Sequence, residues 1–474
     1  MQKYKYLLKN IGLLTISNFG SKILSFLLIP IYTAILTTSE YGIYDFYSTT
    51  ISLLIPILTL NVIEAVMRFS LEKKDKSEEV FMVGFNYLVK SSVIVLLLLL
   101  FNRIFNIIPL FNKYSLFFFL LYVLQVLYDL LSQYSRGIEK VKDVAIAGFI
   151  NSVGIISFNI IMLVVFKYGL VGYFIANIIG LVAPIIYYIF SLKIWKSINF
   201  SKNTKLNKEM TDYSKPLIAN TLSWWINNVS DRYIVIYFCG VAANGIYSLA
   251  YKLPSILNIF QSIFSQAWTI SAVKEFSDKE ETTKFYSKIY NLYNMGMVLI
   301  CSLLLVFNIF LAKILFAKDF FMAWRYSSYL MISVVFGALS GLLGGIFSAA
   351  KKSKTYAKTT SVGAIVNIVL NIILVFLYGP IGAAISTLIS YVVVWAMRIY
   401  ETSKIIKIEI NLKKNIFSYI ILIIEAFLCE LCFKNYYFYF AQIICIISIV
   451  FIYYKDILNL LKKGSNQFMK RMAK

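Results

Sequence analysis

The chain has 474 residues, of which 59% are hydrophobic and only 15% are charged, and its mean hydropathy is +0.75. A soluble protein would carry about a quarter charged residues, so this composition excludes a soluble globular domain. The formal net charge of +23 indicates membrane topology and contact with anionic lipid, and nucleic-acid binding is not predicted. The chain has no histidine, and its cysteines lie mostly in or beside apolar segments. No metal site, cofactor or enzymatic activity is therefore predicted.

Long apolar runs predict an all-α integral membrane protein with about fourteen membrane-spanning helices. A bilayer core about 30 Å thick needs roughly 20 apolar residues per helix, and the runs are too continuous for the alternating strands of a barrel. The predicted spans are 9–36, 41–69, 80–101, 114–134, 144–166, 170–192, 214–238, 244–270, 289–311, 326–349, 359–378, 381–403, 416–433 and 436–454.

The distribution of basic residues predicts the orientation of these spans. An even number of spans puts both termini on one side of the membrane. Most of the 46 Lys and Arg residues fall in the two termini and in every second loop, and the positive-inside rule makes that side cytoplasmic. No small-residue cleavage site follows the first span, which we expect to stay in the mature protein. The prediction is a multi-pass membrane protein with both termini in the cytoplasm.

An internal repeat relates the first twelve spans. Short motifs recur in the same order about 200 residues apart, and a repeat unit of six spans gives both halves the same orientation in the membrane. The predicted lobes are 1–193 and 194–404, and residues 405–474 carry spans thirteen and fourteen with a basic tail. The recurring motifs are Gly42-Ile43-Tyr44 with Gly245-Ile246-Tyr247, Ser152-Val153-Gly154 with Ser361-Val362-Gly363, and Tyr168-Gly169-Leu170-Val171-Gly172 with Tyr378-Gly379-Pro380-Ile381-Gly382.

Four basic residues inside predicted spans are candidates for a substrate site. An ionisable residue inside a span costs several kcal/mol unless it is paired or faces water. Lys22, Lys90, Arg232 and Lys252 are predicted to line a wet cavity between the lobes, where they would attract anions and above all phosphates. The alternative is that each belongs to a buried ion pair between helices.

Four further charged residues are candidates for ion coupling or for charge partners: Glu64, Arg68, Asp129 and Asp231. Glu64 and Arg68 are four residues apart on one helix, and pairing between them is one alternative. Asp231 and Arg232 are adjacent and point about 100° apart, so at least one of them needs a partner on another helix or a ligand. Two other acids, Glu425 and Glu430, lie outside the repeat and are assigned no role.

Aromatic and amide side chains in the first spans of each lobe are candidate sugar contacts. Asn18, Trp224 and Trp225 would stack on sugar rings or bind hydroxyl groups, and the alternative is packing, helix bridging or anchoring at the interface. Pro30 and Pro254 are candidate bending points for opening and closing, with fixed kinks as the alternative.

Several segments resemble bacterial polysaccharide flippases of the Wzx type. They are Asn18-Phe19-Gly20-Ser21-Lys22-Ile23-Leu24, Pro30 and Glu40-Tyr41-Gly42-Ile43-Tyr44 in the first half, and Pro216, Ser230-Asp231-Arg232-Tyr233 and Gly245-Ile246-Tyr247 in the second. These flippases belong to the superfamily that includes multidrug and toxin extrusion proteins and the lipid II flippase. The resemblance covers essentially the whole chain without a single diagnostic motif.

The resemblance implies two six-helix lobes in a V around a central cavity, with two extra C-terminal helices. It also implies movement of undecaprenyl-diphosphate-linked oligosaccharide from the cytoplasmic to the outer leaflet by alternating access, in company with the polymerase and glycosyltransferases of the pathway. In such flippases basic residues on the first helices of each lobe hold the lipid diphosphate, and Lys22 and Arg232 occupy those places. Lys22 gives a point charge where relatives carry an arginine fork.

Two alternatives remain at the level of the sequence. A multidrug or cation exporter of the same superfamily would need an acidic cavity, whereas the four deep basic residues predict a basic one. A membrane-embedded polysaccharide polymerase or ligase would typically carry a large outer loop with catalytic residues, and the outer loops of this chain are short.

Overall fold

The structure is a computed structural model, and it describes residues 26–196, 203–274, 280–350, 352–432 and 437–472. Throughout these residues the fold is all-helical and contains no strand, as predicted. The helices are α1 (Ile29–Ile35), α2 (Thr38–Leu58), α3 (Val62–Glu72), α4 (Ser77–Phe105), α5 (Ser115–Gly137), α6 (Val141–Asn159), α7 (Gly169–Leu192), α8 (Thr204–Cys239), α9 (Val241–Ala250), α10 (Pro254–Lys274), α11 (Glu280–Leu315), α12 (Ala323–Ala349), α13 (Ser353–Tyr378), α14 (Pro380–Ser403), α15 (Leu412–Cys432) and α16 (Tyr437–Met472).

Each predicted span from the second to the fourteenth coincides with one helix or a consecutive pair. Within the described ranges nine helices are long and apolar enough to cross a membrane, and α2 with α3 forms a tenth if this bent pair is one span. The chain is therefore a multi-pass membrane protein, while the count of fourteen spans stays a prediction.

The second predicted span is broken, and the break has a local cause. Pro56 removes a backbone donor inside α2, and Leu60 and Asn61 then take left-handed backbone conformations with φ of 49° and 56°. The amide of Asn61 donates to the carbonyl of Pro56 at 2.9 Å, and α3 leaves at 56° to α2. The eighth predicted span is also interrupted, by the turn at Tyr251–Leu253, and Pro254 begins the helix that follows it.

The described chain divides into two compact units. The first runs to Ile236 and adds Gly240–Gly245 and Leu315–Lys318, and the second comprises Tyr237–Cys239, Ile246–Ile314 and the described residues from Asp319 onward. Helix α8, the seventh predicted span, therefore lies in the first unit for most of its length. The predicted lobe boundaries at 193 and 404 stay a prediction.

Loops predicted to share the cytoplasmic side meet at one end of the first unit. Lys74 pairs with Glu139 at 2.9 Å and Lys73 pairs with Glu209, which joins the three segments after α3, α5 and α7. The Lys73 ammonium lowers the pKa of the Glu209 carboxyl. These contacts bring the three segments together, while the side of the membrane on which they lie stays a prediction.

The second unit is built around α12, the most buried of the nine spanning helices. Its glycines allow close approach, because a Cβ on Gly344 or Gly345 would overlap Tyr356 or Trp268. Arg398 is 4% exposed and is satisfied by the Ser340 carbonyl at 2.7 Å and by two threonine hydroxyls. Trp268 donates its indole N–H to the Leu342 carbonyl at 2.9 Å, so this tryptophan packs the unit.

The recurring Tyr-Gly motif has similar local features in both halves. Gly169 has φ of +52° at the start of α7, and Gly379 has φ of +66° immediately before α14. A Cβ at Gly172 or Gly382 would press on a carbonyl of the preceding helical segment. The Tyr-Gly motifs thus encode the same tight connection twice.

The glycines of the two Gly-Ile-Tyr motifs take part in one reciprocal backbone contact within the first unit. A Cβ on Gly42 would overlap the carbonyl of Val241, and a Cβ on Gly245 would overlap the carbonyl of Thr38. Thr38 precedes Gly42 by one helical turn, as Val241 precedes Gly245. Each half therefore supplies one glycine and one carbonyl to the same backbone contact, as two related halves would.

This contact predicts that Gly42→Ala and Gly245→Ala each destabilise the protein by about 1–3 kcal/mol, the usual cost of overpacking. The added methyl would meet backbone on both sides, which cannot rotate away. Thermal unfolding of the purified protein in detergent measures the effect. Gly296→Ala is the matched control, since nothing lies within 4 Å of its Cβ position and alanine favours a helix. Equal melting temperatures for all three variants would contradict the close approach.

Candidate functional site

The predicted site residues fall into three groups according to where the structure places them. Lys22 and Asn18 lie outside the described residues, and so does the side chain of Trp224. Lys90, Asp231 and Arg232 lie in the first unit, and Lys252 lies in the second. A vestibule shared by the four basic residues therefore stays a prediction.

Arg232 on α8 makes a partly buried ion pair with α2. Its Nη1 donates to Asp45 Oδ1 at 2.6 Å, and the two side chains are 18% and 9% exposed. The other carboxylate oxygen of Asp45 accepts a hydrogen bond from Asn244 at 3.0 Å. The sequence predicted that Asp231 or Arg232 needs a partner on another helix. Arg232 has such a partner, and it is Asp45.

The same face of α8 is held to α2 by two aromatic residues. Trp225, two turns before Arg232, donates its indole N–H to Ser52 Oγ at 3.1 Å and to the Thr49 carbonyl. The hydroxyl of Tyr233 lies 2.5 Å from Thr50 Oγ1. Trp225 is 8% exposed, so in this structure its polar group and most of its surface are used in packing against α2.

The remaining predicted residues have distinct surroundings. Asp231 is 2% exposed, and its Oδ1 accepts the backbone N–H of Arg232 at 3.0 Å. Lys90 is exposed, and its ammonium lies 5.2 Å from the ring centroid of Tyr87. Lys252 lies in the turn between α9 and α10 and is half-buried. The sequence predicted that Lys252 lies inside a span and faces a water-filled cavity. The structure instead places it at a break between two helices.

A cavity of about 700 Å³ lies inside the first unit. Helices α2, α3, α5, α6, α7 and α8 all contribute to its wall, and the bend between α2 and α3 opens on it through Pro56 and Asn61. Its polar lining residues are Tyr44, Ser48, Ser52, Asn61, Glu64, Gln125, Tyr128, Asp129, Asn151, Asn177 and Thr221. Two of these are acids, and none of the described lining residues is a lysine or arginine.

The two acids of this cavity are hydrogen-bonded to amides. Glu64 Oε2 accepts from Gln133 at 2.7 Å, and Asp129 Oδ1 accepts from Gln125 at 3.0 Å. Arg68 pairs with Glu72 at 2.7 Å and covers the ring of Tyr213, so the pairing alternative for Glu64 and Arg68 is not the arrangement found. Carboxylate and amide oxygens around a wet space suit a proton or a small cation and repel a diphosphate.

The sequence argument missed Asp45, Asn244 and the two glutamines that hold Glu64 and Asp129. Asp45 had a usable signal, because it is an ionisable residue inside the predicted span 41–69. The two glutamines gave no signal in the sequence, since their role depends on how the helices pack against one another.

Comparison with known sequences bears on what these residues serve. A sequence profile described as "Polysaccharide biosynthesis protein" matches residues 7–270, more than half of the chain. The chain belongs to this family. No curated protein matches the full sequence significantly.

Solved structures show that this member of the polysaccharide biosynthesis protein family has a known transporter fold. The lipid II flippase MurJ, in an inward closed conformation, aligns with a TM-score of 0.70 at 15% identity over 94% of this chain and 99% of the flippase. An inward-facing multidrug resistance transporter of the MATE family aligns with 0.66 at 14% identity over 81% and 95% of the two chains. A transporter of the same superfamily from Pyrococcus furiosus aligns with 0.54 at 13% identity over 83% and 93%.

These findings confirm the resemblance and the fold class predicted from the sequence. The polysaccharide biosynthesis family is the one that the flippase-like segments indicated, and the structures that share the fold belong to flippases and transporters. Identities near 15% establish the fold alone, so the substrate and the site residues of this family member stay predictions.

The Asp45–Arg232 pair predicts that substitutions of its two residues have non-additive effects on stability. Asp45→Asn leaves a partly buried guanidinium without its carboxylate and should destabilise the protein by about 3 kcal/mol, as breaking a buried pair generally does. The double variant Asp45→Asn with Arg232→Gln removes both charges and should recover most of that loss. Thermal unfolding in detergent measures both. Asp143→Asn, which removes a carboxylate that accepts a hydrogen bond from Tyr187, is the control for loss of a carboxylate elsewhere. Additive losses would contradict the pairing.

Proposed function

We propose that this protein is a flippase that moves undecaprenyl-diphosphate-linked oligosaccharide units from the cytoplasmic to the outer leaflet of the bacterial cytoplasmic membrane. The observation that carries the proposal is the combination of a polysaccharide biosynthesis family with a fold that matches nearly the whole of a lipid II flippase. Lipid II is itself a lipid-linked saccharide, so the two observations point to one class of cargo. In this proposal the protein is a transporter and catalyses no covalent step.

The extent of each structural match favours a flippase over an exporter. The flippase match covers 94% of this chain, whereas the multidrug transporter match covers 81%. The predicted segment 405–474, with two spans outside the repeat, has about the length of that difference. In this proposal the two lobes 1–193 and 194–404 correspond to the exporter fold. The helix pair in 405–474 would be an addition to that fold and would bind the lipid tail.

The proposed contact with the cargo is electrostatic. Lys22, Lys90, Arg232 and Lys252 would hold the diphosphate, while Asn18, Trp224 and Trp225 are the candidate sugar contacts. The ion pair with Asp45 keeps the Arg232 guanidinium oriented when no cargo is bound, and the diphosphate would compete with that carboxylate. Trp225 would have to leave its contact with α2 to reach a sugar.

The cycle that we propose is alternating access with both termini in the cytoplasm. The diphosphate and sugars enter a cationic cavity that is open to the cytoplasm, and the polyprenyl tail stays in the lipid. Outward movement of an anionic head group is favoured by an inside-negative potential, by about 2.3 kcal/mol per charge per 100 mV. Glycosyltransferases would supply the cargo and a polymerase would consume it.

The acidic cavity of the first unit supports coupling to a cation. Glu64 and Asp129 line it together with several amide groups, and we propose that they exchange a proton or small cation while the cargo moves the other way. The same cavity also favours a second candidate function, export of a cationic drug, since an acidic pocket would bind such a substrate. Asp231 remains a candidate charge partner.

Two substitutions test the cationic site. Lys22→Ala should abolish complementation of a flippase-deficient strain while membrane levels stay normal. Arg232→Ala should abolish it as well, although loss of the partner of Asp45 should also lower the stability of that variant. Because Arg232 is paired, the double variant Asp45→Asn with Arg232→Gln separates folding from function: it should be stable and still inactive. Restored surface polysaccharide in that double variant, or full complementation by both single variants, would contradict a role for these cations in binding cargo.

Two isosteric substitutions test the coupling cavity. Glu64→Gln and Asp129→Asn should reduce flipping driven by a pH or sodium gradient in proteoliposomes and leave binding of the lipid-linked substrate unchanged, because they remove the exchangeable charge and keep the hydrogen bonds. Asp143→Asn is the control. Lost drug resistance with unchanged flipping would instead favour the exporter.

A further inference from the structure

A seam of buried polar residues runs between α11, α15 and α16 in the second unit. On α15 the fully buried residues recur every three or four positions and mix polar with apolar types: Asn415, Ser418, Tyr419, Leu422, Glu425, Ala426 and Cys429. On α16 the matching buried residues are Phe438, Gln442, Ile449 and Tyr453. In a membrane helix such a stripe marks the face that contacts other helices.

One end of this seam is a hydrogen-bond network of neutral side chains, in which only Asn415 Nδ2 has no partner among the described residues. Asn294 on α11 donates to the Tyr453 hydroxyl at 3.0 Å and accepts from the Tyr419 hydroxyl at 2.6 Å. The Tyr453 hydroxyl in turn contacts Ser418 and Asn415. This network ties all three helices together through neutral side chains.

Glu425, two turns further along α15, is different. It is 0% exposed, and the hydrogen bond to one of its oxygens comes from the Ser302 hydroxyl on α11, 2.7 Å from Oε1. Oε2 is fully buried and has no hydrogen-bond partner among the described residues. A buried carboxylate that receives a single neutral hydrogen bond is among the most costly groups that a helix bundle can contain.

A second buried oxygen without a donor among the described residues belongs to Gln442, whose amide contacts the backbone of Glu425. Gln442 on α16 donates its Nε2 to the backbone carbonyl of Glu425 at 2.9 Å and to Cys429 Sγ at 3.4 Å. The contact with a carbonyl fixes the amide orientation, because a flipped amide would oppose two acceptors. Gln442 Oε1 is then a second buried acceptor for which the described chain offers no donor. The described part of the seam therefore offers no hydrogen-bond donor to Glu425 Oε2 or to Gln442 Oε1.

The charged groups near the seam are committed elsewhere. Arg325 on α12 pairs with Glu430, which Tyr329 also contacts, and Lys414 pairs with Asp456 at the end of the seam that carries Asn415. Within the part of the chain that the structure describes, the titratable groups that interact electrostatically with Glu425 are the thiols of Cys301 on α11, Cys429 on α15 and Cys445 on α16. Thiols are weak donors and bring no positive charge.

We propose that Glu425 is a proton-binding site, and that its bound proton keeps α15 and α16 closed on α11. Protonation forms an O–H bond on the carboxylate and turns one of the two orphan acceptors into a donor without moving a helix. Release of the proton to water leaves an uncompensated charge in the seam, which the protein relieves by letting water in between the helices. The two helices outside the repeat thereby become sensitive to pH independently of the coupling cavity and of the proposed cargo.

The chain supplies its own reporter for this opening. Cys429 is 0% exposed and touches Gln442, so maleimide labels it only when the seam opens. The experiment uses the full-length protein in nanodiscs with Cys429 as the single cysteine, and compares Glu425 with Glu425→Gln across a pH series. Glu430→Gln is the control for neutralising another acid on the same helix.

The slopes of labelling rate against pH decide the matter. The thiolate fraction alone raises labelling about tenfold per pH unit in every variant below the thiol pKa. Opening that releases one proton adds a further factor of about ten per pH unit, which we expect with Glu425 and with Glu430→Gln and not with Glu425→Gln. Infrared difference spectra should also show the carbonyl band of a protonated carboxylic acid that Glu425→Gln lacks.

Three results would overturn the proposal. Equal slopes with Glu425 and Glu425→Gln would mean that no proton is linked to opening. An absent carboxylic-acid band would mean that Glu425 is ionised in the closed state. Suppression of labelling by sodium, in comparison with choline, in the Glu425 protein alone would assign the site to a metal cation in place of a proton.

Discussion

Every polar group that enters the hydrocarbon must find its partner inside the protein, and this constraint organises the structure. Backbone groups meet it by forming helices, and ionisable side chains meet it by pairing. Arg232 has Asp45, Arg325 has Glu430, and Arg398 has a carbonyl and two hydroxyls. In each case the partner comes from another helix, so the charges also fix which helices pack together.

The acids that do not meet the constraint with a cation are the informative ones. Glu64 and Asp129 accept hydrogen bonds from amides at the wall of a cavity, and Glu425 accepts one from a serine hydroxyl in a buried seam. In our proposals, this difference in surroundings decides the role of each acid. Glu64 and Asp129 would exchange an ion through the cavity, whereas Glu425 would either keep a proton or separate its helices.

The sequence predicted the helices well because hydrophobic length is a local property. It also predicted that Arg232 or Asp231 needs an outside partner, since adjacent residues on a helix cannot pair. It could not identify Asp45 as that partner, because the register between α2 and α8 depends on long-range contacts such as those of Trp225 and Tyr233. The bend between α2 and α3 was predictable only in part. Pro56 was visible in the sequence, but nothing in the sequence marks Leu60 and Asn61 as the residues that take left-handed backbone conformations.

The basic residues predicted from the sequence and the acidic cavity found in the structure are compatible if they serve opposite flows. An inside-negative potential drives an anionic head group outward and a proton inward, so both movements are downhill. Acids that shared the binding surface of the diphosphate would repel it, and a cavity of their own in the first unit avoids that cost. Binding of a proton by Glu64 or Asp129 would then favour the step that returns the empty carrier, and the cargo would pay no electrostatic penalty on its way out.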